Sequence, residues 1–165
     1  MAQVAIEVEM QSSQRGFTVN ALTPGDLGQL RKLNELFAEA FHDRETYRCA
    51  PPRDAYVREL LADRHTIVLV ALVDADVAGG LVAYELRKFE QERSEIYIYD
   101  LAVGEGYRRR GIASALLERL CRIATDRGAS AVFVQADYVD EPAIALYEKL
   151  GAREEVLHFD IRCTP

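Results

Sequence analysis

The segment 106–117 reads GYRRRGIASALL and gathers several features that bind anions. Arg108, Arg109 and Arg110 are consecutive cations that either decorate a solvent-facing loop or donate charge-assisted hydrogen bonds to phosphate oxygens. Gly111 has no Cβ, so an anion can come close to the backbone there. Ile112, Leu116 and Leu120 lie on one helical stripe beside Ala113, Leu117, Cys121 and Ala124, which predicts an amphipathic helix with those residues, Cys121 included, in the core. A helix start exposes unpaired N–H groups at the positive end of its dipole, as phosphate sites require. The expected contacts are the backbone N–H groups from Arg109 to Ala113, with the arginine side chains secondary and Ser114 closing the segment. Neither GxxxxGK[ST] nor GxGxxG occurs here, which sets aside the P-loop and the dinucleotide fingerprint.

Two carboxylates stand near this segment as candidate bases. Asp100 lies in EIYIYDLAV, where strand alternation groups it with Ile96, Ile98 and Ala102, opposite Tyr97 and Tyr99. A carboxylate among apolar neighbours has a raised pKa and can accept a proton near neutrality. Asp137 closes the strand SAVFVQAD, at the carboxyl end where ligands of parallel sheets gather. The sequence leaves the choice between them open. Asp137, Tyr138, Asp140 and Glu141 form an acidic cluster suited to ammonium groups, with the flat face of Tyr138 beside them. Asp140 and Glu141 also sit where acids cap a following helix. Glu85, Glu90, Glu92 and Glu95 flank the loop KFEQERS, either as solvated surface or as a field drawing in a polycation.

The elements that must position these groups follow from local pattern. FTVNAL alternates as a strand; TPGDLGQLRKLNELFAEAF offers Thr23 as N-cap, Pro24 as first helical residue, and Leu27, Leu30, Leu33 and Phe37 at helical spacing. AYVRELLAD is a second helix. HTIVLVALV and LVAYELR, joined by a short turn, make a hairpin. EIYIYDLAV is a long strand, the helix after Gly111 stops at Gly128, and SAVFVQAD is a strand parallel to EIYIYDLAV across that helix. EPAIALYEKLG is a short helix and AREEVLHFDI a final strand.

The 165 residues suit one domain with a hydrophobic core, assigned to 17–165 behind a loose leader at 1–16 without secretory character. No apolar stretch is long enough for a bilayer, so no membrane partner is expected. A net charge of -7 argues against a nucleic-acid partner and is compatible with a cationic one. Cys49, Cys121 and Cys163, with no CxxC, point to a reducing cytoplasm, and neither they nor His42, His65 and His158 have metal-ligand spacing.

Arg108-x-x-Gly111-x-Ala113, placed after a long strand and opening a long helix, matches Q/R-x-x-G-x-G/A and resembles the acetyl-CoA signature of the GNAT N-acetyltransferases. PAIALYEKLGA is similar to that superfamily's later Tyr-x-Lys-x-Gly helix. KFEQERSEIYIYDLAV, VQADYVDEPAIALYEKLG and REEVLHFDI resemble the type I aminoglycoside 3-N-acetyltransferases, which modify gentamicin. The resemblance implies an α/β GNAT fold with a mixed, twisted sheet of six to seven strands and about four helices, and acetyl-CoA between two splayed parallel strands. It implies a bulge near Leu101, where Leu101 supplies the oxyanion N–H, Leu101 and Val103 pair with the acyl and pantetheine groups, and Ala102 lies between them. It implies Tyr147 as the acid for the leaving thiolate, against a purely packing tyrosine, and Glu95 with the acidic cluster as acceptor contacts. It is compatible with a homodimer. The expected activity is acetylation of the 3-amino group of an aminoglycoside, conferring resistance. The alternatives are another small polyamine or a protein amine as acceptor, or a non-catalytic sensor that binds acyl-CoA.

Overall fold

The computed structural model describes residues 16–163, so the expected leader lies, but for Gly16, outside the described residues. The chain divides into two compact units, residues 1–135 and 136–165.

The first unit is built on a five-stranded sheet in the order β1-β2-β3-β4-β5. Its strands are β1 (Thr18–Ala21), β2 (Thr66–Val73), β3 (Asp76–Arg87), β4 (Ser94–Val103) and β5 (Val132–Val134). The first four are antiparallel neighbours, and β5 runs parallel to β4, as the intervening helix demands. The hairpin from β2 to β3 turns at Asp74 and Ala75, both at positive φ.

One face of the sheet is covered by α1 (Leu27–Ala40) and α3 (Asp54–Ala62). Leu30, Leu33 and Phe37 of α1 pack there with Val57, Val68, Val70 and Ala102, as the helical spacing predicts. Between them lies α2 (Arg44–Arg48), a single turn too short to carry a periodic signal. The start of α1 differs from expectation. Residues 23–26 form a turn, and the Asp26 carboxylate accepts from both the N–H (2.8 Å) and the hydroxyl (2.6 Å) of Thr23. With its hydroxyl engaged there, Thr23 caps nothing, and the helix begins at Leu27 instead of Pro24.

The opposite face belongs to α4 (Ile112–Arg127), which buries Ile112, Ala115, Leu116, Leu117, Leu120 and Ala124. Cys121 is exposed, not in the core: the buried stripe is narrower than the apolar spacing suggested, and Cys121 lies past its edge. Gly128 ends α4 as expected, at φ 70°, with its N–H on Thr125 O (3.0 Å) and Ala129 N–H on Ala124 O (2.9 Å).

The second unit contains α5 (Glu141–Tyr147), with Pro142 in its first turn. The expected final strand, 152–161, is not a strand; the segment is irregular and exposed. Leu157, Phe159 and Ile161 keep a period of two, but alternation makes a strand only where a neighbour supplies the ladder, and none is bonded to it among the described residues. Losing that strand leaves five strands where six to seven were expected, and α2 raises the helices to five.

Candidate active site

A single extra residue in β4 organises the site. Ile98 faces Ala83 across the β3–β4 ladder, but Asp100 faces the adjacent Val82, so Tyr99 is bulged. The bulge sits two residues before the position expected from resemblance. It also overturns the expected facing of Asp100. Adjacent residues of β3 point to opposite faces, so their partners do too. Ile96 and Ile98 are buried on the α4 face, whereas Asp100 and Ala102 lie on the α1 face, among Val82, Val70 and Phe37.

On that face Asp100 meets a residue the sequence did not single out. Tyr47, in α2, donates its hydroxyl to Asp100 Oδ1 at 2.7 Å. The Tyr47 ring is fixed in turn by Phe37 and Phe41, with centroids at 5.7 and 5.8 Å. Asp43 caps α2 by accepting from Thr46 N–H (3.0 Å). Burial pushes the Asp100 carboxyl above its ordinary value, and the Tyr47 hydrogen bond opposes the rise. Tyr47 is itself raised, by burial first and then by its bond to Asp100 and the charge there.

The bulge also exchanges the edges to which β4 presents its N–H groups. Before it, Ile96 N–H points toward β5 and bonds Ala131 O (2.9 Å). After it, Gly104 N–H points toward β3 and bonds Ala78 O (2.9 Å). Since N–H groups alternate along a strand, those of Leu101 and Val103 point to the β5 side. Pairing with β5 has ended by then, at Ile98 and Val134. Leu101 and Val103 therefore offer two N–H groups on an open strand edge, beside the strand position that carries Asp100. Their side chains are partly buried and Ala102 is buried.

The candidate anion-binding segment follows directly. A 3-10 turn, Glu105–Tyr107, leads into Arg109 at φ 61° and Gly111 at φ 80°. Gly111 occupies the N-cap position of α4 without any side-chain cap. The N–H groups of Arg109, Arg110, Gly111, Ile112, Ala113 and Ser114 donate to no acceptor among the described residues, and the ladder starts with Ala115 N–H on Gly111 O (3.0 Å). Two left-handed residues on either side of Arg110 and an uncapped helix start thus leave a row of backbone donors, the kind of arrangement that can receive an anion. Arg108, Arg109 and Arg110 are exposed; Arg108 Nε reaches Val103 O (3.4 Å) and Arg110 lies over the Tyr107 ring at 5.8 Å. Gly79 makes room for the helix start: a Cβ there would meet Ala102 O at 2.9 Å and Ile112 Cγ2 at 3.2 Å.

Other expected contacts are already engaged. The Glu95 carboxylate pairs with Lys88 (3.3 Å) and Arg93 (3.1 Å). Glu85 is not part of an open field. It is buried, accepts from Ser94 Oγ (2.8 Å), and pairs with Arg127 of α4 (2.9 Å), which holds its carboxyl below the ordinary value despite burial. Among the described residues no group of three His, Cys, Asp or Glu could hold a metal.

The second unit carries the remaining candidates. Asp137 is exposed, and its carbonyl accepts Asp140 N–H (3.0 Å). Asp140 caps α5 through Ala143 N–H (3.1 Å), with Glu141 in the first turn, so the capping reading of this pair is realised. The exposed Tyr138 ring has Arg153 against it at 5.8 Å. Tyr147 ends α5; burial, then the Asp140 charge, raises its phenol to about 12, so it stays protonated at neutral pH.

The comparisons with known proteins give the class to which this fold belongs. The acetyltransferase (GNAT) family model matches residues 30–152, and the chain belongs to that family, whose acetyltransferases use acetyl-CoA. An aminoglycoside acetyltransferase from an uncultured soil metagenomic sample is 55% identical, over 90% of this chain and 99% of that one, with a TM-score of 0.88. A second soil aminoglycoside acetyltransferase, solved with sisomicin, is 31% identical over 92% and 99%, at a TM-score of 0.84. An N-alpha-acetyltransferase of Saccharolobus solfataricus is 30% identical over 90% of this chain and 87% of its own length.

Proposed function

We propose that this N-acetyltransferase moves the acetyl group of acetyl-CoA to the 3-amino group of an aminoglycoside such as gentamicin, by direct attack within a ternary complex. The observation that carries the acceptor class is the 55% identity, along nearly the whole chain, to a solved aminoglycoside acetyltransferase. The 31% identical sisomicin-bound relative supports the same class.

We assign the roles as follows. The amides from Arg109 to Ser114, assisted by Arg108, Arg109 and Arg110, hold the diphosphate of the donor. Leu101 N–H stabilises the carbonyl oxygen as negative charge gathers on it, and Val103 N–H pairs with the pantetheine arm. Asp100 takes the proton that the acceptor ammonium must lose before its nitrogen can attack; its raised affinity suits that task near neutrality. The C–N bond forms, the C–S bond breaks, and the leaving sulfur takes a proton, a role that the family resemblance gives to the Tyr147 phenol, whose proton is then replaced from solvent. Asp137, Tyr138, Asp140 and Glu141 bind further ammonium groups of the polycation, and Glu95, matched by two cations, contributes least. No cysteine has an activating neighbour, which supports direct transfer over an acetyl-cysteine. The proposed setting is the cytoplasm, and the proposed consequence is resistance.

Mixing the protein with acetyl-CoA and gentamicin tests this reading. Stoichiometric release of thiol and an acetamide on the 3-nitrogen are expected, and no release would overturn it. A protein N-terminus is the second reading, favoured by the N-alpha-acetyltransferase relative; acetylation of peptides but not of gentamicin would establish it.

A further inference from the structure

The chain holds 8 tyrosines and no tryptophan, and the tyrosines are not spread evenly. Tyr47, Tyr84 and Tyr97 all have raised phenols to which the Asp100 and Tyr99 charges contribute behind burial, and Tyr84 feels Tyr56 as well. Tyr84 and Tyr97 oppose each other across β3 and β4, next to the Val82 and Asp100 pair, on the α1 face. Bulged Tyr99 stands edge-to-face against both: 6.0 Å and 82° to Tyr84, 6.0 Å and 83° to Tyr97. Phe133 of β5 stacks on Tyr97 at 5.0 Å, and the Tyr97 hydroxyl is tied to Gln135 Oε1 (3.0 Å), so that wall is held from behind.

Two walls and a perpendicular third, with a carboxylate at their foot, do not make an economical hydrophobic core. Tyr99 is 64% exposed, so its ring is open to a ligand arriving from solvent. Ring faces are negative and attract a desolvated ammonium, more strongly where several rings converge. Charge complementarity selects the occupant: among the described residues, the carboxylate whose charge acts on Tyr84 and Tyr97 is Asp100, and aromatic ring faces are negative.

We infer that Tyr84, Tyr97 and Tyr99 form an aromatic box for an organic ammonium, which holds the acceptor's reacting amine beside Asp100. This deepens the acceptor reading above and rests on it for the identity of the amine. The box itself binds the cation, whichever molecule carries it. The bulge then does two things at once, turning Asp100 to the α1 face and raising Tyr99 as a third wall.

Tetramethylammonium is the probe, with tert-butanol as its uncharged counterpart of similar size. The assigned ring resonances of Tyr84, Tyr97 and Tyr99 report on the box residue by residue. Saturable shifts at Tyr84, Tyr97 and Tyr99 with tetramethylammonium, and none with tert-butanol, are expected. Tyr99→Leu should weaken that binding by about tenfold or more, whereas Tyr99→Phe, which keeps the ring, should stay within about threefold. No saturable shift, equal response to tert-butanol, or equal loss in both variants would overturn the box. Because the titration needs neither turnover nor an aminoglycoside, binding of the probe without gentamicin acetylation would refute the acceptor reading alone. Acetylation without probe binding would refute the box alone.

Discussion

Replacing Tyr47 by Phe isolates the hydroxyl that meets Asp100. The ring remains against Phe37 and Phe41, so packing is conserved and only the 2.7 Å bond is lost. A hydrogen bond to a charged group is worth about 1.5–3 kcal/mol, and it acts on the ionised carboxylate. Burial raises the Asp100 carboxyl and Tyr47 opposes that rise; without the hydroxyl, burial acts unopposed and the proton is held to higher pH. The acid limb of kcat/KM should therefore move to higher pH. Below that limb the variant should be slower than the parent by about tenfold to a hundredfold, and the deficit should shrink as the solution becomes more alkaline. The assay is thiol release against pH with saturating acetyl-CoA, with Tm as a control for folding. A limb that stays in place or moves to lower pH would refute Asp100 as the base restrained by Tyr47.

Three further outcomes follow from named contacts. Asp100→Asn should lose about 10²–10⁴ in rate yet gain stability relative to the parent as pH rises. The folded carboxyl binds its proton more tightly than the unfolded one, so the parent's advantage is complete below about 3.9 and fades as pH passes through the higher folded value; a Tm difference independent of pH between 4 and 7 would contradict this. Gly111→Ala meets nothing within 4 Å, but φ is +80°, so it should cost about 1–2 kcal/mol of stability and weaken coenzyme A binding, measured by thermal unfolding and calorimetry. Glu85→Ala removes a buried carboxylate from Ser94 and Arg127 and should cost about 2–3 kcal/mol in denaturant melts, while the folded enzyme keeps its kcat.

Much of this design is visible in the residues alone. Leu30, Leu33 and Phe37 announce α1, Gly128 announces the end of α4, and the turn into α4 at 108–112 is legible because it is local in sequence. What escapes is whatever depends on a neighbour. The facing of Asp100 reversed because a bulge is a property of two strands, and EIYIYDLAV alone alternates without interruption. Tyr47 lies in a five-residue helix, 53 positions from its partner, and no local pattern joins them. Glu85 looks like one of several loop acids until Arg127 arrives from α4. The tyrosine content of β3 and β4 was a signal that could have been followed: Tyr84, Tyr97 and Tyr99 fall on strands that flank the candidate base.

Donor binding depends above all on the unpaired amides at the start of α4. Calorimetric titration of coenzyme A into the protein tests them directly. One saturable site per chain is predicted, with the backbone amide resonances of residues 109–114 moving as it fills. A titration without heat, or binding that leaves those amides unmoved, would contradict it.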